Sequence, residues 1–161
     1  MTNKVLEKMI EYFGADTQRI NHALKVYSFS GCIARSEMLS EEELLIIDVS
    51  AILHDIGIKE AEKKYNSCIG KYQEKEGPVV AQTLLSEFGF NNEVLDRIYF
   101  IIGNHHTYSK IDGIDFQILV EADFLVNIFE DKISMDAVKT IRKKYFKTQS
   151  GISILESMYI R

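Results

Sequence analysis

Leu53-His54-Asp55-Ile56-Gly57 sets an imidazole and a carboxylate side by side at the end of the apolar run Leu44 to Leu53. Burying either group unpaired is costly, so each needs a partner. A shared divalent metal ion would satisfy both, because imidazole nitrogen and carboxylate oxygen are good ligands for such ions. As a plain helix end, the same stretch would have Asp55 as a solvated cap, His54 near the helix C-terminus and Gly57 as a left-handed stop. His22 and Asp123 weigh against the plain end. Each lies on a segment that is otherwise mainly apolar. Asp123 alone could cap a neighbouring backbone, and His22 alone could bond a carbonyl. One ion shared by His22, His54, Asp55 and Asp123 accounts for all four together. Two imidazoles and two carboxylates around a divalent cation make a neutral site with coordination positions left for water and substrate.

The elements that must bring these residues together read as helices. Lys4 to Phe13 carries Val5, Met9, Tyr12 and Phe13 on one stripe, and Gly14 stops it. Asp16 is a good N-cap for a second helix to about Arg35, which carries His22. Ser40 with Glu43 forms a capping box opening a third helix, apolar nearly all round, that delivers His54 and Asp55 to the interior. Lys59 to Tyr65 reads as a short charged helical turn and Asn66 to Gln73 as a loop. Pro78 fits the first turn of a helix over Val79 to Phe88. Asn91 or Asn92 caps the next helix, with Val94, Ile98, Ile101 and Ile102 on its stripe, which runs into Gly103-Asn104-His105-His106. Ile114 to Phe129 is strongly apolar apart from Glu121, Asp123 and Asn127. Asp123 and Asn127 are four apart and share a face. Ser134 caps a basic helix to Phe146, and Ile152 to Tyr159 reads as a last short helix. The expectation is an all-α multi-helix bundle forming one domain over residues 1–161, with a core over about 16–130 and C-terminal helices over 134–160. Bundle metal sites are built where such helices converge.

Composition limits the partners. The net charge of −5 gives no footprint for long nucleic acid. No apolar run reaches membrane-spanning length, so no membrane partner is expected. Cys32 and Cys68 have no close metal-motif spacing and read as free thiols in a reducing cytosol. A cytoplasmic protein, with a homodimer allowed, is the expectation.

The His…His-Asp…Asp pattern resembles the HD-domain phosphohydrolase superfamily, whose signature sits on an all-helical core. His22 matches the first histidine, His54-Asp55 the doublet and Asp123 the last aspartate. Glu121-Ala122-Asp123-Phe124-Leu125 resembles the final helix of the family, and Arg19 its arginine one turn ahead of the first ligand. The resemblance implies a divalent metal (manganese, iron, magnesium, nickel or zinc) that polarises a phosphate ester and makes hydroxide available from bound water. A ligand set without cysteine suits such hydrolytic ions better than a closed structural zinc site.

The chain also departs from that pattern. Nucleotidases and pyrophosphatases of the superfamily often carry acidic residues three or four positions after the doublet aspartate; here those positions are Ile58 and Lys59, with Glu60 one further on as a substitute. Arg19 and Lys59 are candidates to receive substrate phosphate, whereas Lys63 and Lys64 read as a solvated face. Of His105-His106, the expectation is that His105 faces the site as a second-metal ligand, a general acid or a phosphate donor, with His106 as a substrate contact. Binuclear members add a histidine in the segment that here reads Tyr72 to Gly77, where Glu74 or Glu76 would have to replace it, so a mononuclear site is expected. No Gly-Tyr-Pro motif is present. The expected activity is metal-dependent hydrolysis of a phosphomonoester or pyrophosphate in a small molecule such as a nucleotide. Asp55, His105, Lys59 and Glu60 are the candidate catalytic residues, and Arg19, Lys59 and His106 the substrate contacts. A diiron oxygenase on the same scaffold, or a non-catalytic metal-containing module that binds a nucleotide or partner, are the alternatives.

Overall fold

The apolar stripes and caps become helices with few changes. The computed structural model describes residues 1–160, and among them there are nine α-helices, one 3₁₀ turn (Tyr108–Lys110) and no strand. The helices are α1 (Thr2–Phe13), α2 (Thr17–Ser36), α3 (Glu41–Leu53), α4 (Ile58–Tyr65), α5 (Gly70–Leu85), α6 (Asn92–Ile102), α7 (Ile114–Glu130), α8 (Met135–Tyr145) and α9 (Gln149–Tyr159). Asp16 accepts from the Arg19 amide at the start of α2, and the Ser40–Glu43 box is complete in both directions at the start of α3. Each satisfies amide donors that a helix start leaves without partners.

Helices α2, α3 and α7 pack against one another as the centre of the bundle. The residues Ile46 to Leu53 of α3 are all buried, as expected of a helix with no polar face. Helix α6 backs α3, α1 covers it, and α5 lies against α4 and α6. A large apolar cluster includes Met9, Val26, Ile52, Ile98 and Phe116. A second, with Ile33, Ile47, Leu125 and Leu155, seats α8 and α9 on the outer side of α7. The buried Glu121 carboxylate ties this second layer down, accepting from the Lys147 and Thr148 amides and the Thr148 hydroxyl. No helix of the described residues is long and apolar enough to cross a membrane.

One element differs from expectation. Helix α5 begins at Gly70 and runs through Pro78 instead of starting there. A proline inside a helix removes a donor and usually ends it. Tertiary contacts hold the extra turns here. Glu74 receives the His106 amide and the Thr107 hydroxyl, Glu76 receives the Tyr65 hydroxyl and Lys64, and the Gln73 amide nitrogen donates to the Cys68 carbonyl. Gly57 is likewise no left-handed stop, since its φ is −74°. It is small because the turn after His54 lies directly on α5. A Cβ there would sit 2.4 Å from the Gln73 carbonyl oxygen and 2.5 Å from the Gly77 nitrogen.

Candidate metal centre

Helix α2 contributes His22, the end of α3 contributes His54 and Asp55, and α7 contributes Asp123. All four side chains meet at one point. His22 Nε2 lies 3.2 Å from His54 Nε2, 3.2 Å from Asp123 Oδ1 and 3.5 Å from Asp55 Oδ2. His54 Nε2 is 3.5 Å from Asp55 Oδ2 and 3.7 Å from Asp123 Oδ1. Bonds of ~2.1 Å to one ion put neighbouring ligand atoms ~3.0–3.4 Å apart. The observed spacings are close to those edges.

The outer nitrogens fix which way the lone pairs point. His54 Nδ1 is 2.8 Å from the Ala51 carbonyl oxygen, and His105 Nδ1 is 2.8 Å from the Ile102 carbonyl oxygen. A carbonyl only accepts, so each Nδ1 carries the hydrogen and each neutral ring presents an unprotonated Nε2. His22 Nδ1 donates to Glu130 Oε2 at 2.8 Å, which leaves its Nε2 facing inward as well. Lone pairs directed at one another at 3.2 Å are unfavourable unless a proton or a cation lies among them. His54 is fully buried and His105 nearly so, and the acceptor nearest His105 Nε2, Asp55 Oδ1 at 3.4 Å, is not aligned for a hydrogen bond. A divalent ion satisfies the chemistry of this donor set.

The metal-free electrostatics agree. Burial disfavours charge on His22, but Asp123, Asp55 and Glu130 outweigh it and raise the imidazole from 6.5 to about 9. Burial holds the His54 imidazole below its ordinary value against the pull of Asp55 and Asp123. Burial would raise the Asp55 carboxyl, yet His54, His105 and His22 together hold it well below the usual range. A raised His22 pKa stabilises the metal-free fold fully below about 6.5, and that contribution is lost as pH rises through about 9. An arriving ion must displace this proton. Metal affinity is therefore expected to rise with pH toward about 9, with about one proton released per ion near neutrality. Calorimetry in buffers of different ionisation enthalpy measures it, and proton-free binding at pH 7 contradicts the assignment.

His105 lies on the other side of Asp55, with its Nε2 3.4 Å from Oδ1. Asp55, His105 and His106 form a second group whose donor atoms lie within 4.8 Å of one another, next to that of His22, His54 and Asp123. His105 is only 2 % exposed and does not line the cleft, which favours the second-metal ligand over the general acid and the phosphate donor among its three expected roles. His106 Nε2 lies 3.0 Å from Gln73 Oε1, and burial with the neighbouring His105 lowers its imidazole to about 4. Glu74 and Glu76 are not replacements for a missing histidine, being held by the contacts along α5 already described.

A cleft of about 510 Å³ leads to the ion position between the start of α2 and the end of α7, with Arg19, His22, Asp55, Gln73, Asn127 and Glu130 on its walls. Arg19 is in place there, but its guanidinium is bound by Asp16 (2.8 Å) and Glu62 (2.5 Å). Lys59 and Glu60 are corrections. The Lys59 ammonium donates to the Tyr12 carbonyl oxygen at 2.8 Å and lies over the Tyr12 ring, and the Glu60 carboxylate lies 3.8 Å from Lys63. Neither lines the cleft. The turn of α4 after Gly57 carries both away from it.

Glu130 is the residue that sequence reasoning missed. The apolar pattern ends its helix at Phe129, yet Glu130 is the last residue of α7, seven beyond Asp123 and so on the same face. Helix α7 thus holds both nitrogens of His22, with Asp123 on Nε2 and Glu130 on Nδ1, and Lys25 of α2 completes the line at 2.6 Å from Glu130. Such outer partners orient a ligand ring and raise its basicity. Glu130→Gln keeps an acceptor but removes the charge. It is expected to weaken metal binding ~10–100-fold without unfolding the chain. Unaltered affinity by metal titration would remove Glu130 from the centre.

A family model, HD domain, matches residues 19–144. The fold is similar to a crystal structure of a predicted HD superfamily hydrolase from an uncultured Thermotogales bacterium. That likeness has 24% identity and a TM-score of 0.70, covering 98% of this chain and 84% of that one. The search of curated proteins finds no match.

Proposed function

The chain belongs to the HD-domain family, and on that footing we propose that it is a metal-dependent phosphohydrolase acting on a small phosphorylated molecule. The observation that carries the reading is the convergence of the Nε2 lone pairs of His22 and His54 with the carboxylates of Asp55 and Asp123 at the base of an open cleft. When bound, a divalent ion supplies Lewis acidity toward a phosphoryl oxygen and a lowered pKa for water. The side chains do the rest. The Ala51 and Glu130 acceptors hold the imidazoles in one tautomer, and the Asn127 amide nitrogen donates to Asp123 Oδ1 at 3.0 Å, fixing that carboxylate. Among the described residues Arg19 is the one lysine or arginine on the cleft wall, and it orients the phosphoryl group. Manganese, iron, magnesium, nickel and zinc all suit this nitrogen and oxygen set. The test is metal analysis of chain purified without added ions, followed by a panel of phosphate esters assayed with and without chelator. Metal bound without turnover would instead fit a binding module.

A two-ion form of the same reading has its own support. Asp55 directs Oδ2 at the His22–His54 pair and Oδ1 at His105, so its two oxygens would be free to hold two separate ions. Two metals per chain would favour it over the mononuclear expectation, and two irons without phosphatase activity would point to the oxygenase.

A further inference from the structure

Resting on the phosphohydrolase reading, we infer that the cleft selects an ester with one phosphoryl group whose alcohol portion is neutral or carries an amine. Di- and triphosphates, and esters with a carboxylate, are disfavoured. The charges around the opening are the basis. Among the described residues four carboxylates line the cleft, those of Asp16, Asp55, Glu130 and Asp131, against the single guanidinium of Arg19. Asp55 belongs to the ion. Arg19 faces two carboxylates, Asp16 and Glu62, and so leaves a negative excess, whereas Glu130 is offset by Lys25.

The lysines that the sequence places near the doublet do not supply a second phosphate site. Lys59 is on the Tyr12 carbonyl, Lys63 lies 3.8 Å from Glu60, Lys64 is on Glu76, Lys71 and Lys75 lie over Tyr72 and Tyr65, and none of these lines the cleft. Asp131, the C-cap of α7, is exposed and has no ion-pair partner among the described residues. It stands where the negative end of that helix also faces the opening. The start of α2 would attract an anion, but its cap is another carboxylate, Asp16. Beyond the ion and Arg19, a second phosphate or a carboxylate therefore meets like charge, and an ammonium group meets Asp131.

The test uses the metal-loaded 161-residue chain and two pairs of probes. Hydrolysis of 2-aminoethyl phosphate is compared with that of carboxymethyl phosphate, of similar size and opposite charge. Binding of 2-aminoethylphosphonate is compared with that of phosphonoacetate by calorimetry, which needs no turnover. The amine is expected to lead by about tenfold or more in each pair, the scale of one unit-charge interaction near a protein surface. Asp131→Lys should cut that ratio several-fold. Equal or reversed preference in the wild-type chain, with p-nitrophenyl phosphate still hydrolysed, overturns the charge selection and leaves the phosphohydrolase reading standing. Metal-loaded chain that binds neither phosphonate and hydrolyses no ester sinks both. A ratio untouched by Asp131→Lys removes Asp131 as its source and overturns the inference as stated.

Discussion

Asp55→Ala is expected to leave a folded protein that retains less than about a tenth of the wild-type metal and loses hydrolysis by at least ~10³-fold, or ~4 kcal/mol of transition-state stabilisation. Asp55 is the side chain that touches both donor groups, with one oxygen 3.5 Å from His22 and His54 and the other 3.4 Å from His105. Its loss leaves three imidazoles facing one another with only Asp123 to offset the cation. Each imidazole keeps its outer hydrogen bond, to Ala51, Ile102 or Glu130, so the rings have no reason to leave their places. Asp55→Asn is the companion variant. It preserves volume and one acceptor oxygen but not the charge, and should fall nearly as far. Elemental analysis, ester turnover and circular dichroism together decide the matter. Metal content and turnover both surviving in Asp55→Ala would end the assignment of the centre, whatever its geometry.

The second large effect is on the fold. Gly57→Ala is expected to cost more than ~3 kcal/mol, at the upper end of what overpacking does. The added methyl would meet the Gln73 carbonyl oxygen, the Gly77 nitrogen and, at 2.9 Å, the Gly77 Cα. All three are backbone atoms, so no rotamer change relieves the clash. The turn after the doublet must move off α5, and the same turn sets the direction of Asp55. Urea unfolding followed by circular dichroism gives the number. A variant within ~0.5 kcal/mol of wild type would mean that α4 and α5 separate easily, which their close approach does not allow. Added metal should recover part of the loss if the turn and the ion position are coupled, because binding to the folded state alone contributes ~2.7 kcal/mol at a hundred times Kd.

Much of this was legible in the chain. The apolar period, Asp16, the Ser40–Glu43 box and Asn91 mark helices from residues at most four positions apart, and such local signals survive folding unchanged. The four ligand candidates were visible for a related reason. A histidine or aspartate inside an apolar helix faces the interior, and in a bundle the interior is shared. Helix α5 shows the limit of local reading. Its Pro78 argues correctly against an isolated helix there, and only contacts from Lys64, Tyr65, His106 and Thr107 outweigh it.

The sequence by itself determined the helical class, the order of the helices and the candidates to hold a cation. Tertiary structure alone decided which neighbours complete them. Glu130 meets His22 across 108 positions, Lys59 turns to a carbonyl of α1 instead of the cleft, and His105 points at Asp55 instead of at the opening. Periodicity reports which face of a helix is buried. The pairing of one side chain with another depends on how whole helices are set against each other, which is fixed by packing over distances that no local pattern encodes.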